Sequence, residues 1–533
     1  MRPLGVELAA MLADRGVDTI FGIPGVHNIE LYRGIEEAGI RHVLARHEQG
    51  AGFMADGYAR ATGKPGVAFV ISGPGLTNIM TPMGQAYSDS VPMLVISTVL
   101  DDTASKRGQL HQMRDQEGAT ATVCDWSETA RTAFAAYSLV DKALIEFATK
   151  RPRACNISIP IRVVGGPAEP FPTAANAMAT RPYADPKAIG EVARLLANAR
   201  RPLFIFGGGL AQDASSAATI AQLLKLTSAA SFTTYAGRGL VAADASLHFG
   251  AHLSQPGSVD VLASADLVIV VGTELAEVDT LRDALGDEGI RIRVDLDPSV
   301  LAGDPRANHR INADGVAVLK SLTAELATSR ISQTTDWSPS EIAAQRAKWS
   351  NAVDSYYPGI RPICDALRET LPDNTMIFSD MTQFAYTAKD VWDMPKPGHW
   401  HHPNGFGTLG YALPAAIGGA LGHDGPTLAI AGDYGFQYTL QELGTAAELG
   451  LSLPILIWDN EALGEIRDNM VAAQIAPNAV HAVNPDWEKL AEAYGCAYAA
   501  PKTIEALCDA TTAAFAAGRP TLILATPEIS SSS

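Results

Sequence analysis

The sequence predicts an α/β protein of three doubly wound domains, each with a central parallel sheet. Three observations carry this expectation. Short apolar runs recur along the 533 residues, stretches of helical periodicity separate them, and two Pro/Ala-rich or polar segments break the alternation. A strand covered by helices on both faces has no side that needs polar residues, so an unbroken apolar run fits an inner strand of a parallel sheet. The chain is also too long for a single core and matches the usual size of three domains. Their expected limits are residues 1–165, 186–328 and 350–529.

The first segment opens with Leu4, Leu8, Met11 and Leu12 on one helical face. Gly16 is a stop signal, and residues 17–21 follow as a strand. Further strands are expected at 67–71, 93–99 and near 157–161. The stretch 165–186 is rich in Pro and Ala and is expected to be a linker. In the second segment, strands at 203–206, 267–271 and 292–296 alternate with helical stretches, and the polar run 328–339 reads as a second linker. The third segment has strands at 375–378, 428–430, 455–458 and 522–525, and residues 530–533 are expected to fray.

With 58 acidic residues against 40 Lys and Arg, the net charge is −18. A surface of that sign repels nucleic acid, whose binding depends on neutralising phosphates. The longest apolar run, about residues 91–100, falls well short of a membrane span. No charged stretch followed by a long apolar one opens the chain, so no signal peptide is expected. Cys124, Cys155, Cys364, Cys496 and Cys508 are scattered without CxxC spacing and read as reduced, buried residues. The expectation is a cytoplasmic protein with no nucleic-acid or membrane partner.

Residues 432–460 read GDYGFQYTLQELGTAAELGLSLPILIWDN. Asp433 follows one apolar run and Asn460 closes another, 27 residues on. Two parallel strands joined by a crossover helix bring such residues together at one sheet edge. Hard oxygen ligands there suit Mg²⁺, which takes one or two protein carboxylates or amides plus phosphate oxygens. Gly432 and Gly435 let backbone N–H groups approach a phosphate. The plainer reading is an αβ unit whose Asp and Asn cap turns. A second pattern lies far upstream: RHEQGAGFMADGYARATGKPG at 46–66, preceded by FGIPG at 21–25 and followed by SGPGLTN at 72–78. Glu48 is there either as a helix N-terminal carboxylate favoured by the dipole or as a catalytic group.

In this order the motifs resemble those of thiamin diphosphate (ThDP) enzymes of the acetolactate synthase and 2-oxo acid decarboxylase superfamily. The resemblance covers nearly the whole chain, including GFGTLGYALPAAIG at 405–418. Tyr434 stands where the diphosphate fingerprint has its third Gly, and Asp459 where it has its first Asn. The resemblance implies a pyrimidine-binding, a middle and a diphosphate-binding domain, in that order. It implies that Glu48 hydrogen-bonds the pyrimidine and activates the cofactor by placing its own amino group as a base. Leu409 would wedge the cofactor into a bent form while the Gly407 carbonyl accepts from that amino group; otherwise Leu409 is simple core. Asp433, the Asn460 side chain and the Ala462 carbonyl would hold Mg²⁺, with Gly435 and Phe436 against the diphosphate. In this superfamily the two motifs serve one cofactor from two chains, which implies a homodimer or a homotetramer.

Three places bear on the reaction. Residues 273–277 follow Gly272 without the Arg-Phe-Asp-Asp-Arg run of FAD-carrying acetolactate synthases, so FAD is not expected. The GGG at 207–209 is more often a strand–helix turn than a nucleotide site. His111 and Gln112 lie where pyruvate decarboxylases have paired histidines, and an imidazole there suits protonation of the product; the alternative is an ordinary loop histidine. Glu465 takes a position that is apolar in those relatives. A carboxylate there suits a cationic substrate, or else pairs with Arg467 or lies at the rim of a helix start.

Together with MGQAYSDSVPMLVIS at 83–97, these features most closely resemble 5-guanidino-2-oxopentanoate decarboxylases. The expectation is non-oxidative decarboxylation of that 2-oxo acid, with Glu465 on its guanidinium and Gly25 and Val26 lining the pocket from the adjacent subunit. The alternatives are a carboligase of acetolactate synthase type and a non-catalytic protein of the same fold.

Overall fold

The computed structural model describes residues 1–102, 105–173, 179–328, 335–481 and 483–532; parts of both expected linkers (174–178 and 329–334) and Ser533 lie outside them. The chain begins with β1 (Arg2–Pro3). The first parallel sheet follows: β2 (Thr19–Gly22), β3 (Arg41–Leu44), β4 (Gly66–Val70), β5 (Met93–Val99), β6 (Trp126–Thr129) and β7 (Cys155–Pro160). Its order is β3-β2-β4-β5-β7-β6. A short β8 (Pro167–Ala168) then returns antiparallel to β1, so the first unit runs on to Ala168 rather than ending at 165.

The middle sheet contains β9 (Pro202–Phe206), β10 (Ala230–Thr233), β11 (Leu267–Val271), β12 (Ile290–Asp295) and β13 (His309–Asn312), in the order β10-β9-β11-β12-β13. The third holds β14 (Met376–Ser379), β15 (Trp400–His401), β16 (Thr427–Gly432), β17 (Pro454–Trp458), β18 (Ala497–Ala499) and β19 (Thr521–Ala525), in the order β15-β14-β16-β17-β19-β18. Every strand pair within these three sheets is parallel. The α/β class and three parallel sheets are as expected, because helices cover both faces and the inner strands are buried throughout.

A second boundary differs from expectation. Helix Pro339–Tyr356 runs across position 350, and its Trp349 packs with the middle-domain rings Phe232 and Phe249. The chain ends in a 3₁₀ helix, Pro527–Ser532, and Ile529 is buried in the core of the third domain. The first and third domains meet through helices Glu48–Thr62 and Ala412–Gly422, whose glycines bring the two backbones into contact. No helix among the described residues is long and apolar enough to cross a membrane. The five cysteines are free and buried.

Candidate active site

Glu48 begins helix Glu48–Thr62, where unpaired N–H groups favour a carboxylate. His47 caps that helix by accepting from the Gln49 N–H at 3.1 Å. The Glu48 carboxylate, 9% exposed, accepts from the Asn78 amide at 2.9 Å. Asn78 lies on helix Pro74–Asp89, which starts with Pro at a position where its missing N–H costs nothing. Just ahead, Gly73 has φ +67°, and a Cβ there would stand 2.5 Å from the His111 carbonyl oxygen, so only glycine fits. The buried Gln116 side chain fixes this loop, accepting from the Gly73 N–H at 3.2 Å and donating to the Thr98 carbonyl at 2.8 Å.

Two histidines meet beside this loop. His27 Nδ1 lies 2.8 Å from Ser72 Oγ, and its ring meets that of His111 edge-on with centroids 4.8 Å apart. Burial, and then the neighbouring His111, push the His27 pKa down. His111 has φ +61°, uncommon for a residue with a Cβ, and its buried Nδ1 has no hydrogen-bond partner. Gly25 and Val26 form the turn before His27; the Gly25 N–H donates to Asn28 at 2.7 Å, and Val26 is 68% exposed. Gln112 is directed elsewhere, accepting from the Gln109 N–H at 3.2 Å and donating to the Lys106 carbonyl at 3.0 Å.

A second group lies on the third sheet. β16 and β17 are neighbours with Gly432 opposite Trp458, so Asp433 and the Asp459–Asn460 pair leave adjacent strand ends. The Asn484 amide nitrogen donates to Asp433 Oδ2 and Asp459 Oδ1, both at 2.8 Å. Burial pushes the Asp433 carboxyl up to about 6; the Asn484 hydrogen bond works against this and the Asp459 charge adds to it. Two carboxylates gathered on one neutral amide form a donor set that fits a hard divalent cation. Asn460 Nδ2 donates to Gln383 at 3.1 Å, while its Oδ1 accepts from the Ala462 N–H at 3.3 Å. Glu461 between them has φ +52°, and this tight turn leads to the buried Ala462.

Gly435 and Phe436 occupy the short helix Asp433–Gln437. A Cβ on Gly435 would stand 2.7 Å from Asp380 and 3.5 Å from Leu409, so the half-buried Leu409 reaches this loop. Gly407 is exposed two residues before it, with φ +66°. Asp380 fastens the segment by accepting from the Gly410 N–H at 2.8 Å, and burial raises its carboxyl to about 7.

Glu465 opens helix Gly464–Ala472 beyond the Asn460–Ala462 turn. Its Oε2 accepts from the Tyr357 hydroxyl at 2.6 Å and its Oε1 from the Asn469 amide at 3.2 Å. Burial and this hydrogen bond raise the Tyr357 pKa. Arg467, the expected alternative partner, pairs with Asp468 at 2.9 Å. Among the described residues no Lys, Arg or His lies within 4.0 Å of the Glu465 carboxylate.

Among the described residues no hydrogen bond joins Glu48 or His111 to Asp433, Asn460 or Leu409. The groups are nonetheless tied through Glu442, whose Oε1 accepts from the Arg46 and His47 N–H groups at 3.1 and 3.0 Å. A cavity of about 760 Å³ lies among the three domains, lined by Gly208, Gly209 and Gly272 and by the carboxylates of Glu274, Asp279 and Asp295. Sequence reasoning passed over His27, Asn78, Asn484 and Tyr357. His27 carried a signal, a titratable residue two positions after Gly25. Asn484 carried none, lying in an irregular stretch 24 residues beyond Asn460.

Three family models match the chain. They are described as the N-terminal TPP binding domain, the central domain and the C-terminal TPP binding domain of thiamine pyrophosphate enzymes, over residues 4–119, 189–322 and 380–525. A Pseudomonas aeruginosa protein named "Probable 2-ketoarginine decarboxylase AruI" is 42% identical over 526 residues, 97% of this chain and 93% of its own. An acetolactate synthase of Mycobacterium bovis is 30% identical over 525 residues, 91% of this chain and 81% of its own. The acetolactate synthase isozyme 2 large subunit of Escherichia coli is 27% identical over 496 residues, 91% and 88% of the two chains.

Proposed function

Because the chain belongs to the thiamine pyrophosphate enzymes, we propose that it decarboxylates 5-guanidino-2-oxopentanoate (2-ketoarginine) to 4-guanidinobutanal and CO₂, with Mg²⁺ as metal. The observation that carries this reading is Glu465, a carboxylate held by two neutral donors, with no Lys, Arg or His of the described residues within 4.0 Å, close beyond the Asn460–Ala462 turn. A charge left open there fits a cationic substrate tail better than an aliphatic one. The 42% identity to the Pseudomonas protein supports the same substrate.

The bond between the carboxylate and the carbonyl carbon breaks, CO₂ leaves, and one proton is added to that carbon. ThDP, when bound, supplies the electron sink for this cleavage. Glu48, kept in place by Asn78, would share a proton with the pyrimidine ring nitrogen. Asp433, Asn460 and the Ala462 carbonyl would hold Mg²⁺, with the N–H groups of Gly435 and Phe436 on the diphosphate. Leu409 would fill the bend of the cofactor, and the Gly407 carbonyl would accept from its amino group. His111, with an unpartnered ring nitrogen, is the assigned proton donor, and Gly25 and Val26 would line the substrate pocket from the adjacent subunit. Gln112 would join them only if its loop turned over.

The exposed side chains Val26 and Leu110 flank the first group, and Phe406, Tyr438, Ile466 and Val471 flank the second. Apolar surface at both places supports burial against a second copy, so that each cofactor is held by two chains; a homotetramer would pair two such dimers. No FAD is assigned to the middle domain. The acidic charge and buried thiols support a cytoplasmic setting without nucleic-acid or membrane partners.

The second reading, carboligation of two 2-oxo acids, draws on the acetolactate synthase relatives. Assaying CO₂, 4-guanidinobutanal and acetolactate from 2-ketoarginine and from pyruvate separates the two. Acetolactate from pyruvate, with no turnover of 2-ketoarginine, would overturn the decarboxylase reading.

A further inference from the structure

Resting on the guanidinium reading above, we infer that Tyr357 is a positioning residue that sets the Glu465 carboxylate for a planar guanidinium. Tyr357 follows directly on helix Pro339–Tyr356, and its N–H closes that helix onto the Val353 carbonyl at 3.4 Å. The helix is fastened to the middle domain. Trp349 stacks on His252 with centroids 5.4 Å apart, and Arg346 donates to the Ala243 carbonyl at 2.6 Å. The far end of the helix meets the third domain, where Tyr357 packs against the core and its hydroxyl donates to Glu465.

The chemistry of the contact is specific. A phenol supplies a hydrogen bond without neutralising the carboxylate, and the Asn469 amide does the same at the other oxygen. Each carboxylate oxygen keeps one further lone-pair direction, and the carboxylate plane is fixed by bonds at both ends. That arrangement matches the two parallel N–H donors of a guanidinium, whereas an ammonium cannot fill both directions in one plane. Tyr386, its ring centroid 6.4 Å from that of Tyr357, packs beside the tyrosine that holds this carboxylate.

The test compares wild type and Tyr357→Phe on three substrates: 5-guanidino-2-oxopentanoate, 6-amino-2-oxohexanoate and neutral 2-oxohexanoate. Inhibition by 5-guanidinopentanoate serves as a binding readout. Loss of a hydrogen bond to a charged group should raise KM for the guanidino substrate, and Ki for the inhibitor, about tenfold. The kcat and the neutral-substrate kinetics should stay within about twofold, a split that general structural damage does not produce. Asn469→Ala, acting on the other oxygen, should shift the same constants in the same direction. An unchanged preference for the guanidino acid in both variants, or equal losses on all three substrates, would overturn the inference. Wild-type enzyme that prefers the neutral acid would instead sink the guanidinium reading itself.

Discussion

Gly57 lies against the carbonyl of Ala415 so closely that a Cβ at position 57 would stand 1.9 Å from that oxygen, and Gly418 meets the Met54 carbonyl oxygen in the same way, also at 1.9 Å. The contact between the first and third domains therefore depends on hydrogen atoms where any other residue has carbon. Gly57→Ala should force the two helices apart and cost about 1–3 kcal/mol by overpacking, read as a lower urea midpoint. A midpoint equal to wild type would show that the helices separate freely.

If each cofactor is shared by two chains, Glu48→Gln and Asp433→Ala should each remove turnover, with kcat down by about a hundredfold or more and the fold retained. Co-expressed as mixed dimers, the two variants should regain activity, because one of the two sites then holds both an intact Glu48 and an intact Asp433. A mixed preparation as inactive as its parents would place the whole site within one chain.

Chelation with EDTA should abolish activity, and Mg²⁺ should restore it. Asn484→Ala frees both carboxylates that the amide now gathers. It should weaken Mg²⁺ activation by about 10–100-fold while saturating Mg²⁺ recovers most of kcat. Unaltered Mg²⁺ dependence in that variant would argue against a metal at this strand end.

His248 gives a pH dependence separate from catalysis. Burial drives its pKa down to about 3 from the ordinary 6.5. The unfolded chain therefore binds this proton more readily, so stability present above pH 6.5 is lost as pH falls towards 3. Between pH 7 and 5, wild type should lose about 2 kcal/mol relative to His248→Gln. Parallel denaturation curves for the two proteins would contradict this assignment.

In the three parallel sheets the inner strands were legible in the sequence and the edge strands were not. The expected runs at 93–99 and 267–271 coincide with β5 and β11, and the others lie within about two residues of β2, β4, β7, β9, β12, β14, β16, β17 and β19. The six strands without a sequence signal in the three sheets are β3, β6, β10, β13, β15 and β18, all of them sheet edges. An edge strand has one neighbour and less burial, so segments such as RHVL, WSET and HRIN need no unbroken apolar run. The site divided along similar lines. Asp433, Asn460 and Glu48 sit at fixed offsets from inner strands and helix starts. Asn484 and Tyr357 reach their partners only through tertiary folding, and nothing in the local pattern marks them.

Glu442 belongs to the third domain, yet it supplies the acceptor for the two backbone amides that immediately precede Glu48. A Cβ at Gly50 would stand 2.2 Å from the same carboxylate oxygen, so the helix start is moulded to it. The seat of Glu48 is thus assembled from two distant parts of the polypeptide. An isolated amino-terminal fragment can keep its sheet and still lose the alignment of that side chain, because the piece that levels its pedestal has been cut away.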